Sequence, residues 1–185
     1  MEKELQKRLT FLEYGAAIAF SASCRGSCPR KSVGAALFDS HRIVASTGCN
    51  GAPAGAPQCD EIGCLMVDGH CRRVIHAERN ASVFAGKRNL QGGYAFITIR
   101  PCDNCFRILV ELGIKQSYYL DDYRPEIAGA QKGICRDKGV TLEQLPFNIE
   151  HLLRRMVQFH QNPSGLFMAN PNLRIISTPQ NVSLP

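Results

Sequence analysis

His76-Ala77-Glu78 and Pro101-Cys102-Asp103-Asn104-Cys105 are the two stretches that decide the fold, because each places metal-ligating side chains at the start of a predicted helix. One histidine and two cysteines supply three protein ligands for Zn²⁺ and leave the fourth tetrahedral position to water, which is typical of a catalytic site. Glu78 is not needed as a ligand beside two thiolates, so its carboxylate is free to move protons. The pattern therefore predicts a catalytic zinc bound by His76, Cys102 and Cys105, with Glu78 as the catalytic residue.

The residues around the two cysteines favour the thiolate form. Pro101 stands just before the expected helix, and an apolar run that continues to Leu112 follows it. Unpaired N–H groups and the helix dipole at such an N-terminus lower the pKa of a cysteine. Zinc bound there would lower the pKa of its water to roughly 7.

The combination of H-x-E with a later P-C-x-x-C is the signature of the zinc nucleobase deaminases. In that chemistry Glu78 takes a proton from the water, delivers it to a ring nitrogen and later protonates the departing amine. Clusters of histidine and cysteine also form closed structural zinc sites, but a closed site uses a fourth such ligand and has no use for Glu78. A degenerate deaminase that serves as a zinc-stabilised scaffold is the other alternative.

Within that class the chain resembles the deoxycytidylate (dCMP) deaminase family. The resemblance rests on the two stretches above, extended to Ala81, and on three further runs: Thr47-Gly48-Cys49-Asn50-Gly51-Ala52-Pro53-Ala54-Gly55, Cys28-Pro29-Arg30-Lys31-Ser32-Val33-Gly34-Ala35 and Asp68-Gly69-His70-Cys71. The last two runs are most similar to the bacterial late-competence and phage members. The resemblance covers roughly Phe11 to Leu145, and it departs at Cys49, where the family usually has an aromatic residue.

The resemblance implies zinc-dependent hydrolysis of dCMP to dUMP and ammonia, which supplies dUMP for dTMP synthesis. It also implies a homo-oligomer, often a hexamer, with dCTP as activator and dTTP as inhibitor. The substrate contacts that it implies are Arg25, Asn50, Ala77 and Arg124, with the arginines near the 5′ phosphate and Asn50 near the sugar. Simple surface exposure is the alternative for both arginines, and an Asn-Gly turn is the alternative for Asn50.

Composition bounds the class of protein. At 185 residues and 44% apolar, the chain is long enough for one domain with a substantial core. We expect a deaminase domain over residues 1–145, and a helix with an irregular tail over residues 146–185 that packs on this domain or on a neighbouring subunit. The N-terminus lacks the layout of a signal peptide and no run of eighteen apolar residues occurs, so we expect a cytoplasmic protein without a membrane span.

A net charge of +6 and a pI of about 8.9 suit an anionic ligand. The basic residues are scattered, however, and no basic run carries interleaved aromatic residues as in single-strand binders. Nucleic acid is therefore disfavoured as a partner.

Hydrophobic periodicity predicts an α/β fold with three layers, α/β/α, around a mixed five-stranded sheet, as in cytidine deaminases. The predicted strands are Val33–Phe38, Ile43–Thr47, Tyr94–Ile99, Gln116–Leu120 and Val140–Leu145. The predicted helices are Glu2–Ala22, His76–Gly86, Cys102–Leu112, Pro125–Lys138 and Ile149–His160. Both halves of the zinc site then fall at helix N-termini near the carboxyl ends of strands.

The segment from Asn50 to Arg73 is too long and too rich in Gly, Pro and Cys for an ordinary connection. We expect a second, structural zinc bound by Cys28, Cys59, Cys64 and Cys71, since a loop with so little apolar content needs a cross-link. His70 could replace one of these cysteines. Buried free thiols are the alternative.

Three rival functions share parts of the pattern. A tRNA or single-stranded DNA deaminase has the same zinc site but should show a basic, aromatic-bearing track beside it. A catalytically idle, zinc-stabilised interaction protein is a second rival, against which the intact Glu78 argues. A deaminase of free nucleosides or modified cytosines is the third, and only an assay separates it.

Overall fold

The computed structural model describes residues 8–86, 88–122 and 128–160. The helices are α1 Phe11–Ser23, α2 Cys59–Ile62, α3 Ala77–Ala85, α4 Asp103–Glu111, α5 Ala128–Lys138 and α6 Ile149–His160. The strands are β1 Gly34–Phe38, β2 Val44–Cys49, β3 Met66–Val67, β4 His70–Cys71, β5 Tyr94–Ile99, β6 Gln116–Asp121 and β7 Thr141–Gln144.

Five strands form one mixed sheet in the order β2-β1-β5-β6-β7. Strand β1 runs antiparallel to both β2 and β5, whereas β6 runs parallel to β5 and to β7. Strands β3 and β4 form a separate two-stranded hairpin. The predicted mixed five-stranded sheet is confirmed.

Successive side chains of a strand point to opposite faces of the sheet. The apolar residues of β1 and β5 therefore contribute alternately to two separate apolar layers. On one face Ala35, Leu37 and Ile97 pack with residues of α3 and α4, including Ala77, Ala81 and Leu109. On the other face Ala36, Phe38 and Phe96 pack with residues of α1 and α6, including Ala16, Ala19 and Leu152. Helices therefore cover both faces of the sheet, and the predicted three-layer α/β/α fold is confirmed.

The first helix begins later than its apolar periodicity predicts. Thr10 is the N-cap of α1, and its hydroxyl accepts a hydrogen bond from the Glu13 N–H (3.2 Å) while the Glu13 carboxylate accepts one from the Thr10 N–H (2.7 Å). The helix begins directly after the N-cap of this reciprocal capping box. Residues 8–10 therefore precede the helix, and the predicted start at Glu2 is wrong for them. Residues 1–7 lie outside the described residues.

The other predicted strands and helices agree with the structure to within three residues at each end, with two qualifications. The predicted helix Pro125–Lys138 is described only from Ala128, and Arg124 and the tail beyond His160 lie outside the described residues. The segment from Asn50 to Arg73 contains elements that no periodicity predicted, namely α2 and the β3–β4 hairpin. These elements are too short to show a repeating apolar pattern.

Helix α3 lies directly on strand β2, and a glycine permits the contact. A Cβ atom on Gly48 would lie 2.4 Å from the Ala77 carbonyl oxygen and from the Ala81 nitrogen. The Ser46 hydroxyl donates to the Ala81 carbonyl (2.7 Å), and the Asn80 side chain donates to the Cys49 carbonyl (2.8 Å). These contacts place the N-terminus of α3 beside the carboxyl end of β2.

Within the described ranges no helix combines the length and the apolar character that crossing a bilayer requires.

Candidate metal centre and active site

Two helix N-termini meet at the candidate metal centre. His76 is the N-cap of α3 and Cys102 is the N-cap of α4, and both have extended backbone conformations. The His76 Nδ1 atom lies 3.7 Å from Cys102 Sγ and 3.4 Å from Cys105 Sγ. The predicted ligands, distant in sequence, are thus brought together.

These separations match the donor set that zinc requires. Zinc bonds to sulfur at about 2.3 Å and to nitrogen at about 2.0–2.1 Å, so the edges of a tetrahedral site measure about 3.5–3.8 Å. The three donor atoms all lie within 4.8 Å of one another, with Cys105 buried and His76 exposed towards solvent. One nitrogen and two sulfurs around a common centre fit a zinc ion with one position open.

Hydrogen bonding between the ligands makes one thiolate strongly favoured. Hydrogen bonds with Cys105, and then with His76, lower the pKa of Cys102 to about 3. The bond between the two thiols raises the pKa of Cys105. The bond with Cys102 also raises the pKa of His76. A thiolate at the N-terminus of a helix is the form of cysteine that binds metals.

Glu78 lies in the first turn of α3 and is only 4% exposed. Burial raises the pKa of its carboxyl group above the usual value of 4.5. A carboxyl group with a raised pKa holds a proton more readily than an exposed one, which suits it to general acid–base work. Its position beside the three ligands suits it to proton transfer, as the sequence predicts.

A cleft of about 250 Å³ opens next to the metal ligands. Its lining includes His76, Ala77, Glu78 and Cys102, together with Asn50 and Lys31. The cleft also borders Gly69, His70 and Cys71 of the β3–β4 hairpin. The predicted substrate contacts Asn50 and Ala77 therefore line the same cavity as the metal centre.

The basic side chains that line this cleft do not include Arg25, and Arg124 lies outside the described residues. Among the described lining residues the arginines and lysines are Arg30, Lys31 and Arg100. Arg30 and Lys31 follow the Cys28-Pro29 pair directly, and Arg100 directly precedes Pro101. Their adjacency to the two cysteine motifs is the signal that could have identified them.

The side-chain amide of Asn50 is used to hold a loop. Asn50 is 6% exposed; its Oδ1 accepts from the Val33 N–H (2.8 Å) and its Nδ2 donates to the Lys31 carbonyl (2.8 Å). Gly51 pairs with Ile75 instead of reversing the chain, so the alternative of an Asn-Gly hairpin turn is wrong. Asn50 thus fixes the segment that carries Lys31 against the end of β2.

A second cluster of thiols lies at the edge of the cleft. The Sγ atoms of Cys28 and Cys64 are 3.7 Å apart, and those of Cys59 and Cys71 are 3.6 Å apart. The sulfurs of Cys28, Cys59 and Cys64 all lie within 4.8 Å of one another. Three of the four predicted thiols are therefore close enough to share a metal ion, and Cys71 is in contact with one of them, Cys59. His70 is exposed in β4.

The four thiols do not share one acidity. Burial and then the hydrogen bond with Cys71 raise the pKa of Cys59 to about 12. Burial opposes ionisation of Cys71, but hydrogen bonds from the Arg73 backbone and from Cys59 outweigh it and lower its pKa to about 7. Cys71 is therefore easier to ionise than Cys59.

Residues 9–121 match the sequence pattern of the cytidine and deoxycytidylate deaminase zinc-binding region. The chain belongs to this family. Two relatives and one solved structure illustrate the similarity. The first relative, ComE operon protein 2 of Bacillus subtilis, is 36% identical over 141 residues, which are 75% of this chain and 73% of that protein.

The second relative, the deoxycytidylate deaminase of Mycobacterium phage D29, is 34% identical over 118 residues, 58% of this chain and 91% of that protein. A crystal structure of the dCMP deaminase from cyanophage S-TIM5 in complex with dCMP and dUMP superimposes with a TM-score of 0.62 at 26% identity. That match covers 75% of this chain and 99% of the phage chain. Family membership places this chain among the zinc-dependent deaminases.

Proposed function

We propose that this protein hydrolyses dCMP to dUMP and ammonia. The observation that carries the proposal is the buried Glu78 beside a cluster of one imidazole and two thiols, at the wall of a cleft large enough for a pyrimidine nucleotide. Relatives in phages are named deoxycytidylate deaminases, and one related structure contains both dCMP and dUMP. The described residues contain no second combination of a buried carboxyl group with metal-ligating side chains in a cleft.

His76, Cys102 and Cys105 would hold the zinc ion, which when bound supplies a Lewis acid that activates water for attack. The residues of the chain supply the remaining chemistry. The reaction forms a C4–O bond and breaks the C4–N bond of cytosine, so protons must move from water to N3 and then to the leaving amine. Glu78 is the group that accepts and returns these protons. Its burial raises the pKa of the carboxyl group and so favours the protonated form that it adopts between the two transfers.

We assign recognition of the 5′ phosphate to Arg30 and Lys31, which form the basic edge of the cleft. Arg30 and Lys31 line the same cleft as Glu78, and an arginine fork matches the oxygens of a phosphate. Arg30 also donates from Nη1 to the Gly69 carbonyl (3.1 Å), which holds its guanidinium near the hairpin. Arg25 and Arg124 stay predictions as further phosphate contacts, and Asn50 and Ala77 as contacts to the sugar and base.

The test of the reaction follows the loss of cytosine absorbance and the release of ammonia from zinc-replete protein. The substrates are dCMP, CMP, deoxycytidine, dCTP and a cytosine-bearing oligonucleotide. We expect turnover of dCMP, with much weaker turnover of deoxycytidine. Deamination of the oligonucleotide in preference to dCMP would support a polynucleotide deaminase, and the absence of turnover with every substrate would support an idle scaffold.

The phosphate assignment is tested by Arg30→Ala. A charge-assisted hydrogen bond contributes about 1.5–3 kcal/mol, so KM for dCMP should rise roughly ten- to a hundred-fold. KM for deoxycytidine, which has no phosphate, should change little. Equal increases for both substrates would mean that Arg30 acts only by holding the hairpin, and Arg25→Ala in the same assay tests the position that the family resemblance implies.

A second, structural zinc is proposed for Cys28, Cys59, Cys64 and Cys71. It is supported by the mutual proximity of the Cys28, Cys59 and Cys64 sulfurs, by the short Cys59–Cys71 separation, and by the scarcity of apolar packing in the segment that they cross-link. Protein purified without chelator should contain about two zinc ions per chain. Cys59→Ser should reduce this content to about one, whereas Cys135→Ser, which alters a thiol outside both clusters, should leave it unchanged.

Assembly and regulation are proposed from the family resemblance. Association into a homo-oligomer, with a hexamer as the expected state, is measured by sedimentation or light scattering of the zinc-replete protein. Activation by dCTP and inhibition by dTTP are measured as shifts in the dCMP saturation curve. The loop from Cys49 to Gly55 is the expected effector contact, and an unchanged curve with both nucleotides would contradict regulation.

A further inference from the structure

The two residues that precede Cys102 are held by side chains from two other elements. Gln131 of α5 is 1% exposed, and its Nε2 donates to the Pro101 carbonyl oxygen (2.7 Å). The Oε1 of the same amide accepts from Arg100 Nη1 (3.3 Å). The nitrogen and the oxygen of this buried amide therefore bond to Pro101 and Arg100, the two residues that connect β5 to the metal ligand Cys102.

Arg100 is fixed in turn by the end of β6. Its Nε and Nη2 atoms donate to Asp122 Oδ2 at 3.0 and 2.8 Å, and its guanidinium lies 4.6 Å from the centre of the Tyr119 ring. A hydrogen bond from Nη2 to the Tyr119 hydroxyl completes the contacts. The charge of Arg100 is thus neutralised by Asp122, so its place at the cleft wall is not explained by recognition of an anion.

We propose that Gln131 and Arg100 are positioning residues that set the geometry of Cys102 and Cys105 and so the affinity of the metal centre for zinc. The inference rests on the proposed function only in taking zinc as the ion held by His76, Cys102 and Cys105. It adds to the machinery of the site Gln131 of α5 and Arg100, which directly follows β5; neither residue contributes a ligand.

The physical basis is the coupling of Pro101 to both thiols. Cys102 is the N-cap of α4, and its carbonyl accepts from the Phe106 N–H (2.9 Å), so Cys102 and Cys105 move with the first turn of the helix. Loss of the bond to the Pro101 carbonyl frees the N-cap to shift relative to His76, which belongs to another helix. Groups that orient metal ligands through a second layer of hydrogen bonds typically change metal affinity about ten- to a hundred-fold when they are removed.

The burial of its amide group also indicates that Gln131 positions Pro101 and does not simply fill space. Burying a polar side chain is costly unless its hydrogen bonds are made, and polar side chains that bond to one another restrict each other's positions. Gln131 makes both bonds within the segment 100–101. An apolar residue of the same size would pack there without specifying the position of Pro101.

The experiment measures zinc bound per chain by equilibrium dialysis against buffers of fixed free zinc concentration, using the full chain. Gln131→Met removes both hydrogen bonds, and Gln131→Glu keeps an acceptor for Arg100 but loses the donor to Pro101. Gln144→Met is the matched control, because Gln144 Nε2 donates to the Leu120 carbonyl (3.2 Å) at an exposed place on β7. The protein with His76→Ala identifies the part of the binding curve that belongs to the His76 centre.

We expect both Gln131 variants to need about ten-fold more free zinc than the wild type for half-occupancy of the His76 centre. Gln144→Met should bind like the wild type. In cobalt-loaded protein the thiolate-to-metal absorption should weaken in the Gln131 variants and not in the control. If Gln131→Met fails to fold, Gln131→Glu carries the same expectation.

Unchanged zinc binding and cobalt absorption, together with a lower melting temperature, would overturn the inference and leave Gln131 as a packing residue. A wild-type protein without any zinc binding that depends on His76 would overturn the proposed function itself. The two failures are distinguished by whether the wild-type curve contains the His76-dependent component.

Discussion

At the scale of single residues, Glu78 combines two properties that rarely occur together by chance. It is buried, which raises its pKa, and it stands two residues after an imidazole that belongs to a metal-binding set. Burial of a carboxyl group costs stability. Retention of a costly group in a cleft is expected where the group carries chemistry.

Glu78→Gln is expected to lower kcat for deamination about 10²- to 10⁴-fold, because the amide cannot accept the proton of the attacking water. Zinc content and the melting temperature should not fall, since Glu78 is not a ligand. Glu111→Gln makes the same chemical change at an exposed position at the end of α4 and should be fully active. Substantial turnover by Glu78→Gln would show that another group carries the proton.

At the scale of elements, α1 and α6 are joined by a buried ion pair. Arg155 Nε of α6 donates to Glu13 Oε1 of α1 (3.0 Å), and both side chains are at most 10% exposed. Burial opposes ionisation of Glu13, but hydrogen bonds from the Thr10 backbone and from Arg155 outweigh it and lower the pKa of the carboxyl group. Glu13, which completes the capping box of α1, is thus also the ion-pair partner of Arg155 in α6.

Because the pKa of Glu13 is lower in the folded state, its contribution to stability is present above the unfolded value, near 4.5, and is lost as pH falls through the folded value. Glu13→Gln should therefore destabilise the protein by on the order of 3 kcal/mol at neutral pH, since it removes the charge of a buried ion pair. The difference from the wild type should shrink below pH 4.5 in urea unfolding measured at several pH values.

The control for this prediction is Glu150→Gln. Glu150 pairs with Arg154 at 2.9 Å, but both side chains are more than half exposed, so the pair is screened by solvent. Its loss should change the unfolding free energy little at any pH. An equal effect of the two substitutions would contradict the special role of the buried pair.

The contact between α3 and β2 gives a second prediction at this scale. Gly48→Ala would place a methyl group 2.4 Å from backbone atoms of α3, which cannot yield without moving the helix that carries Glu78. We expect a loss of about 1–3 kcal/mol in the free energy of unfolding and reduced kcat. Gly133→Ala in α5 meets no atom within 4 Å and should stabilise by up to about 1 kcal/mol without changing kcat.

At the scale of the whole molecule, the two thiol clusters share one cleft. Cys28 and Cys71 of the four-cysteine cluster line the cavity together with His76 and Cys102. The chain between Cys28 and Val33 carries the basic edge, and it is fastened at one end by this cluster and at the other by Asn50. The cluster therefore shapes the wall where the nucleotide phosphate is proposed to bind.

Cys64→Ser is expected to raise KM for dCMP more than it lowers kcat, because it loosens the binding wall and leaves the catalytic groups in place. The increase should be about ten-fold if the phosphate contact is weakened by one charge-assisted bond. Cys24→Ser removes an exposed thiol outside both clusters and serves as the control. A loss confined to kcat would indicate that the cluster acts on the chemical step instead.

Much of the local structure could be predicted from the sequence, because strand alternation and the apolar faces of α3, α4 and α6 are periodic over several turns or residues. The start of α1 was misplaced because its periodicity continues upstream of Thr10, whereas the capping box at Thr10 and Glu13 ends the helix. The Thr-x-x-Glu spacing was a usable signal. Helix α2 and the β3–β4 hairpin gave no comparable signal, since a hairpin of two-residue strands has no period.

By itself the sequence determined which residues could bind zinc and carry protons, because the ligand chemistry of His76, Cys102, Cys105 and Glu78 follows from residue type and close spacing. Only the tertiary structure decided which basic side chains border the cleft, and it replaced Arg25 with Arg30, Lys31 and Arg100 in that lining. It also decided that Gln131 and Asp122 reach the segment before Cys102. These contacts join residues far apart in the chain, and they depend on the packing of the sheet and its helices, which no local pattern specifies.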